Sequence, residues 1–373
     1  MKTLIQDRVA RLRASFSERK IDTIMILAEE NRRYLSGFTG EDTQLDESAG
    51  ALFITGSEAL LATDSRFVLQ AQSQAPLYEV VCYQKGLANE MPSIVKKLGT
   101  GTLGFEGTRM PYALYRKISG ELQQQGIHVT LVEADDILDP VRILKSDPEI
   151  NQIRKALYLA EDAFCQMVRM LKPGMSEKQI AWEMEKQMRQ AGAEALSFPT
   201  IVASGPNSAL PHAIPGDRRI QSGEPLLVDW GAKLDGYCSD ITRMTCIGTP
   251  DSTFLSVYQT VLDAQRMAIE VIRPGIRASA VDAVARGHID KMGFGARFGH
   301  SLGHGVGLAI HEHPRISSSN ERLLEPGMVF TVEPGIYLPG WGGIRLENMV
   351  AVTDDGVEVL NGLDPGWKLP GEK

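Results

Sequence analysis

The chain has 373 residues, of which 43% are hydrophobic, 6% aromatic and 23% charged. At roughly 150 residues per domain that is chain enough for two or three domains, and the composition excludes disordered, collagenous and coiled-coil classes. Its 39 basic residues stand against 47 acidic ones, a net charge of −8, so the electrostatic footprint of a nucleic-acid binder is missing and no such partner is expected. The four cysteines, Cys82, Cys165, Cys238 and Cys246, form no CxxC pair, which argues against a disulfide framework or a thiolate zinc site and for a reducing compartment.

The opening segment places Leu4, Ile5, Val9, Leu12 and Phe16 among charges. That spacing predicts an amphipathic helix and lacks the apolar run of a signal peptide. Nowhere do 18 apolar residues run uninterrupted, so no membrane partner is expected and the reading is cytoplasmic. From about residue 20 to 135 six short β-rich runs (IDTIMIL, GALFITG, ALLATD, YEVVCY, TLGFEG, HVTLVEA) alternate with helix-like stretches such as Arg66 to Ala75 and Pro111 to Gln125. This alternation predicts an α/β domain. A proline-bearing connector then leads into a long helix closed by Pro173-Gly174. The boundary falls between Asp135 and Pro148, giving domains over 1–140 and 141–373.

The second part repeats itself. A helix ends in Lys172-Pro173-Gly174, another ends at Gly192, and a strand follows Gly223 with Asp229 six residues on. About a hundred residues later a helix ends in Arg273-Pro274-Gly275, the next at Gly293, and a strand follows Gly327 with Glu333 six residues on. Two such halves imply a pseudo-twofold α+β domain whose acidic hairpins face one another across a shared axis.

In the first hairpin, a two-residue turn around Leu234-Asp235-Gly236 makes Asp229 and Asp240 diagonal neighbours on one face, whereas a register change places them directly opposite. In the second, a midpoint near Gly340 puts Glu333 and Glu347 across from each other. A single acid in a strand is ordinarily salt-bridged or solvated, but four at matching places in two repeats call for a cation among them. Five of the seven histidines lie between residues 288 and 313. His288 is read as a satisfied or surface histidine, and His300 and His313 as loop or supporting groups. His304, between Gly303 and Gly305, has the backbone freedom to approach an ion and is the best ligand candidate. Two Asp, two Glu and one His form an oxygen-rich set suited to two divalent ions that hold a hydroxide and polarise a carbonyl. Arg345, on the same face as Glu347, is expected to hold the carboxylates or contact substrate, and Arg315 to receive a substrate carboxylate or make a surface ion pair.

The stretches LPHA around His212, VDWG, SDITR, GHGVGLAIHEHPR, TVEPGIY and RLEN resemble those of the pita-bread metallopeptidases, in the Xaa-Pro aminopeptidase and Xaa-Pro dipeptidase (prolidase) branch. NRRYLSGFTG and TDSRFVLQA resemble that family's creatinase-like N-terminal domain, so the likeness covers nearly the whole chain. The resemblance implies an α+β pita-bread catalytic domain preceded by an α/β creatinase-like domain, and cleavage of the bond before a proline at the second position of small peptides. It implies Asp229 as a terminal ligand of one metal, Asp240 and Glu347 bridging both, and His304 and Glu333 completing the other site. Glu333 would also steer the proton of the attacking hydroxide, while His212 and His311 would meet the scissile carbonyl and leaving nitrogen. A homodimer is the family's habit. Manganese is the expected metal, with Co, Zn and Fe also accepted by such a ligand set. Two alternatives stand beside this reading: a broader-specificity aminopeptidase on the same scaffold, and a metal-stabilised, non-catalytic binding protein.

Overall fold

The six apolar runs between residues 20 and 135 form one mixed sheet, in the spatial order Glu79–Cys82, Ala59–Thr63, Ala51–Thr55, Thr23–Ile26, Thr102–Phe105, Thr130–Glu133. Thr23–Ile26 and Ala51–Thr55 are buried throughout, as unbroken apolar strands covered on both faces should be. The expected helical stretches hold Val68–Gln74 and Tyr112–Gln124. Helix Leu87–Leu98 holds Pro92 in its interior, a residue that ordinarily breaks a helix. Burial of Leu87, Met91, Ile94 and Val95 outweighs the hydrogen bond that Pro92 removes. The computed structural model describes residues 2–42, 44 and 47–368, and the chain divides into two compact units, Met1–Arg142 and Ile143–Lys373.

The second unit carries the repeat as two helix pairs, each followed by strands. Helices Asp147–Val168 and Glu177–Gln190 precede a sheet ordered Ile241–Thr245, Leu226–Trp230, Ile201–Ser204. Helices Ser252–Glu270 and Ala278–Lys291 precede a five-stranded sheet ordered Glu312–Ile316, Gly303–Gly305, Val329–Val332, Asn348–Val352, Val357–Val359. The equivalent glycines Gly223 and Gly327 both have φ of +88°, and a Cβ at Gly327 would lie 2.8 Å from the Lys145 carbonyl oxygen. Left-handed backbone and close approach together explain why glycine stands there in each half.

Strand alternation sorts side chains between two cores. Leu226, Val228 and Trp230 pack with the first helix pair, whereas Leu227 between them joins the core of the second pair. Asp229 is two residues beyond Leu227 and shares its face. In the first hairpin Leu234 pairs with Tyr237 and Asp229 with Thr242, around a turn in which Asp235 (φ 48°) and Gly236 (φ 83°) are both left-handed. The register is therefore the two-residue one, and Asp240 is the diagonal neighbour of Asp229. In the second hairpin Val332 pairs with Asn348 and Gly335 with Arg345. Glu333 and Glu347 thus stand opposite one another in the gap between two ladder segments. No helix among the described residues is long and apolar enough to cross a membrane.

Candidate active site

The two hairpins and strand Gly303–Gly305 bring their polar residues to one place. Asp240, His304 and Glu347 each present a ligand atom, all within 4.8 Å of one another. His304 Nε2 lies 3.4 Å from Asp240 Oδ2 and 3.4 Å from Glu333 Oε1. Asp229 joins the group through Arg345, whose Nη2 is 2.5 Å from Asp229 Oδ2. Asp240 and Glu347 are 4% and 1% exposed.

Burial holds the carboxyl groups of Asp240 and Glu347 well above the ordinary range, and like charges add to it: Glu347, Asp229 and Glu333 act on Asp240, and Glu333 and Asp229 on Glu347. Glu333 is pushed up to about 7, chiefly by burial, with Arg345 opposing the shift. This is an under-compensated cluster of acids.

The lone pairs say what is needed. His304 Nδ1 lies 3.1 Å from the Gly305 carbonyl oxygen. A carbonyl only accepts, so the proton sits on Nδ1 and the Nε2 lone pair points at two carboxylate oxygens. Burial lowers the His304 pKa and keeps the ring neutral. Asp229 Oδ1 is buried and has no hydrogen-bond partner among the described residues. Converging electron pairs on oxygen and imidazole nitrogen, with one buried oxygen orphaned, fit divalent cations of the harder kind.

Threonines anchor two of the acids. Thr242 Oγ1 donates to Glu347 Oε2 at 2.6 Å, and Thr331 Oγ1 to Glu333 Oε1 at 3.0 Å. Each lies two residues along its strand from a site acid, Asp240 or Glu333, and so on the same face; that offset is the signal from which the sequence reading had failed to draw them. Arg345 donates to Thr242 Oγ1, Tyr337 Oη and the Pro211 carbonyl as well as Asp229. Of its two expected roles, holding the carboxylates is the one for which its geometry supplies partners. Tyr337, also unforeseen, lies 3.0 Å from His300 Nε2, while His300 Nδ1 donates to the Ser301 carbonyl. Burial lowers the His300 pKa to about 4, so that ring is a neutral acceptor for the tyrosine.

His311 is exposed, with its ring 4.4 Å from that of His304, edge to face. His212 is exposed on the segment after the short turn Gly205–Ala209, within electrostatic reach of Glu333, His300 and His311. Arg315 is the cross-strand partner of His304, exposed and without an ion-pair partner among the described residues. His313 is exposed on the same strand. His288 differs from expectation: its Nε2 is buried with no hydrogen-bond partner among the described residues.

A pseudo-twofold α+β unit whose hairpins converge acids on an imidazole, preceded in the chain by an α/β unit, is the pita-bread architecture of creatinase-like metallopeptidases. Residues 151–354 match the model of metallopeptidase family M24, and residues 8–144 that of the creatinase/prolidase N-terminal domain. The chain belongs to metallopeptidase family M24. It is 36% identical over 356 residues to the Xaa-Pro dipeptidase of Pyrococcus furiosus, covering 95% of this chain and 98% of the relative. Among solved structures, the Xaa-Pro dipeptidase from Bacillus anthracis superposes with a TM-score of 0.91 at 38% identity, covering 98% of this chain and 99% of that one. The X-Pro aminopeptidase from Thermotoga maritima gives a TM-score of 0.84 at 37% identity, covering 94% and 99%.

Proposed function

We propose that this M24 enzyme cleaves the peptide bond preceding a proline at the second position of small peptides, with two divalent metal ions held by Asp229, Asp240, His304, Glu333 and Glu347. The observation that carries the proposal is the convergence of the neutral His304 Nε2 on Asp240 and Glu333 beside the orphaned Asp229 oxygen. When bound, such ions polarise a carbonyl and bring the acidity of water close to neutral pH. The relatives named for Xaa-Pro peptide hydrolysis support the substrate class.

The chain's own residues supply the rest. Glu333, oriented by Thr331, accepts the proton of the attacking water. His311, packed against His304, donates to the oxygen of the scissile carbonyl as negative charge develops there. His212 serves the leaving side, where the proline nitrogen has no N–H and departs well only when protonated. Arg345 keeps Asp229 and, through Thr242, Glu347 in place. Dipeptides are the better substrates in this reading: the exposed guanidinium of Arg315, directly across from His304, is positioned for a proline carboxylate. The four cysteines are all free thiols, which supports a cytoplasmic site of action.

The deciding assay compares Xaa-Pro dipeptides, Xaa-Pro-Yaa tripeptides and dipeptides lacking proline, each with Mn, Co, Zn and Fe. Metal-dependent hydrolysis confined to proline at the second position is expected. Equal rates without proline would favour the broader aminopeptidase, and metal binding with no hydrolysis a binding protein.

A further inference from the structure

Glu177 opens helix Glu177–Gln190 and is fully buried. The helix start does not need its carboxylate, because Ser176 Oγ already accepts from Gln179 N at 3.2 Å and Gln179 Oε1 accepts from Ser176 N at 2.8 Å. The carboxylate turns instead to the segment that carries His212. Oε1 accepts from Ser204 N and Ser204 Oγ, both at 2.8 Å, and from Asn207 Nδ2 at 3.0 Å. Oε2 accepts from Gly216 N at 3.0 Å. Ser204 and Gly216 are the two ends of that segment, so one side chain closes its base. Two backbone bonds complete the junction, Glu177 N to the Arg218 carbonyl and Lys178 N to the Gly216 carbonyl, each 3.1 Å.

Between these anchors the loop is pinned on one flank by Arg345 at the Pro211 carbonyl and by Gly343 N donating to Ser208 Oγ. Leu210 and Ile214, on either side of His212, are 58% and 90% exposed. Ala213, next to His212, is buried in the core of the second helix pair, so the position of His212 depends on that one small contact and on the base and flank of its loop. The second half of the repeat is built alike. Asp282, fully buried on helix Ala278–Lys291, accepts from Leu302 N at 3.2 Å, and its ion-pair partner Arg286 donates to the carbonyls of Phe298 and His300. In each half a buried acid from the second helix holds the segment leading into the site.

We infer that Glu177 is a positioning residue for His212, clamping the ends of residues 204–216 so that the imidazole meets the substrate without the loop having to be ordered at each turnover. This rests on the reading of His212 as a substrate-contacting histidine. Glu177→Gln would set an amide N–H₂ against N–H donors and leave buried donors unpaired, freeing the base of the loop.

The test is a double-mutant cycle on the metal-loaded enzyme, with metal content measured for every variant: parent, Glu177→Gln, His212→Ala and the double variant. Glu177→Gln is expected to lower kcat/KM about tenfold or more, a loss on the scale of an unsatisfied buried donor, with metal content unchanged. It is expected to lower kcat/KM no further once His212 is already alanine. Asn207→Ala removes one strand of the clamp from a partly exposed position and serves if Glu177→Gln does not fold; its loss should vanish in the same background. A purely structural role would lower melting temperature and multiply with His212→Ala. Equal factors in both backgrounds, or an unchanged kcat/KM in both clamp variants, would overturn the inference. An unchanged kcat/KM in His212→Ala itself would overturn the histidine's role first, and the positioning of it with that role.

Discussion

Arg345 and Asp229 form a buried ion pair in which Nη2 lies 2.5 Å from Oδ2, while the other oxygen of the same carboxylate, Oδ1, has no hydrogen-bond partner among the described residues. One oxygen is thereby held by the arginine and the other is left buried with its lone pairs unused by the described residues. The division fixes the carboxylate's orientation while leaving one oxygen free of hydrogen bonds among the described residues.

Removing the guanidinium should expose the repulsion it offsets. Arg345→Met is expected to destabilise the metal-free protein by about 3–5 kcal/mol, the usual cost of breaking one side of a buried pair. Urea unfolding in the presence of chelator measures it. A variant within about 0.5 kcal/mol of the parent would behave like an ordinary surface change, and the ion pair would lose its assigned role.

Glu333 links stability to pH in the metal-free protein. Its pKa rises from the ordinary 4.5 to about 7 because the charged form is buried. The folded state then holds the proton more tightly than the unfolded chain, so this contribution is complete below pH 4.5 and is lost as pH rises to about 7. The parent should therefore lose stability relative to Glu333→Gln over that window, with chelator present throughout. Parallel stability curves for the two proteins would refute it.

His311→Ala should keep its metal and lose rate. The residue is assigned to the developing oxyanion and not to coordination, and loss of one such donor costs on the order of 10²–10³ in kcat. Metal analysis beside steady-state kinetics separates the two roles. A variant that lost metal yet kept full turnover per loaded site would make His311 a ligand.

Arg315→Met should raise KM for an Xaa-Pro dipeptide more than for an Xaa-Pro-Yaa tripeptide, whose carboxylate lies one residue further out. Charge-assisted bonds of this type are directional, so the longer substrate gains less from the arginine. Equal changes in KM, or a higher kcat/KM for tripeptides in the parent, would move the assignment to an aminopeptidase and leave the metal chemistry as it is.

What could be read without coordinates was periodic or paired. The six apolar runs of the first unit became strands because their length and β-branched content leave few other ways to bury them. The spacing of Asp229 and Asp240 about Asp235-Gly236 put both on one hairpin face, and the observed pairing chose the diagonal register over the directly opposite one. The opposition of Glu333 and Glu347 about Gly340 followed in the same way. The likeness between the two halves was legible because glycine is favoured where the backbone is left-handed and closely approached, as at Gly223 and Gly327.

The rest depended on contacts between residues far apart in the chain. Pro92 lies inside a helix because its neighbours are buried, a tertiary gain that local propensity does not contain. Tyr337 and His300 are partners across 37 positions, and Glu177 reaches Ser204, 27 positions away, and Gly216 beyond it. No periodicity records such pairings. The sequence by itself determined which residues could share a strand face and where each hairpin turns, because backbone geometry acts over a few residues. Only the tertiary structure decided which oxygen of Asp229 Arg345 takes, which way the His304 lone pair points and what holds the His212 loop, because hydrogen-bond direction is set by whatever the fold packs alongside.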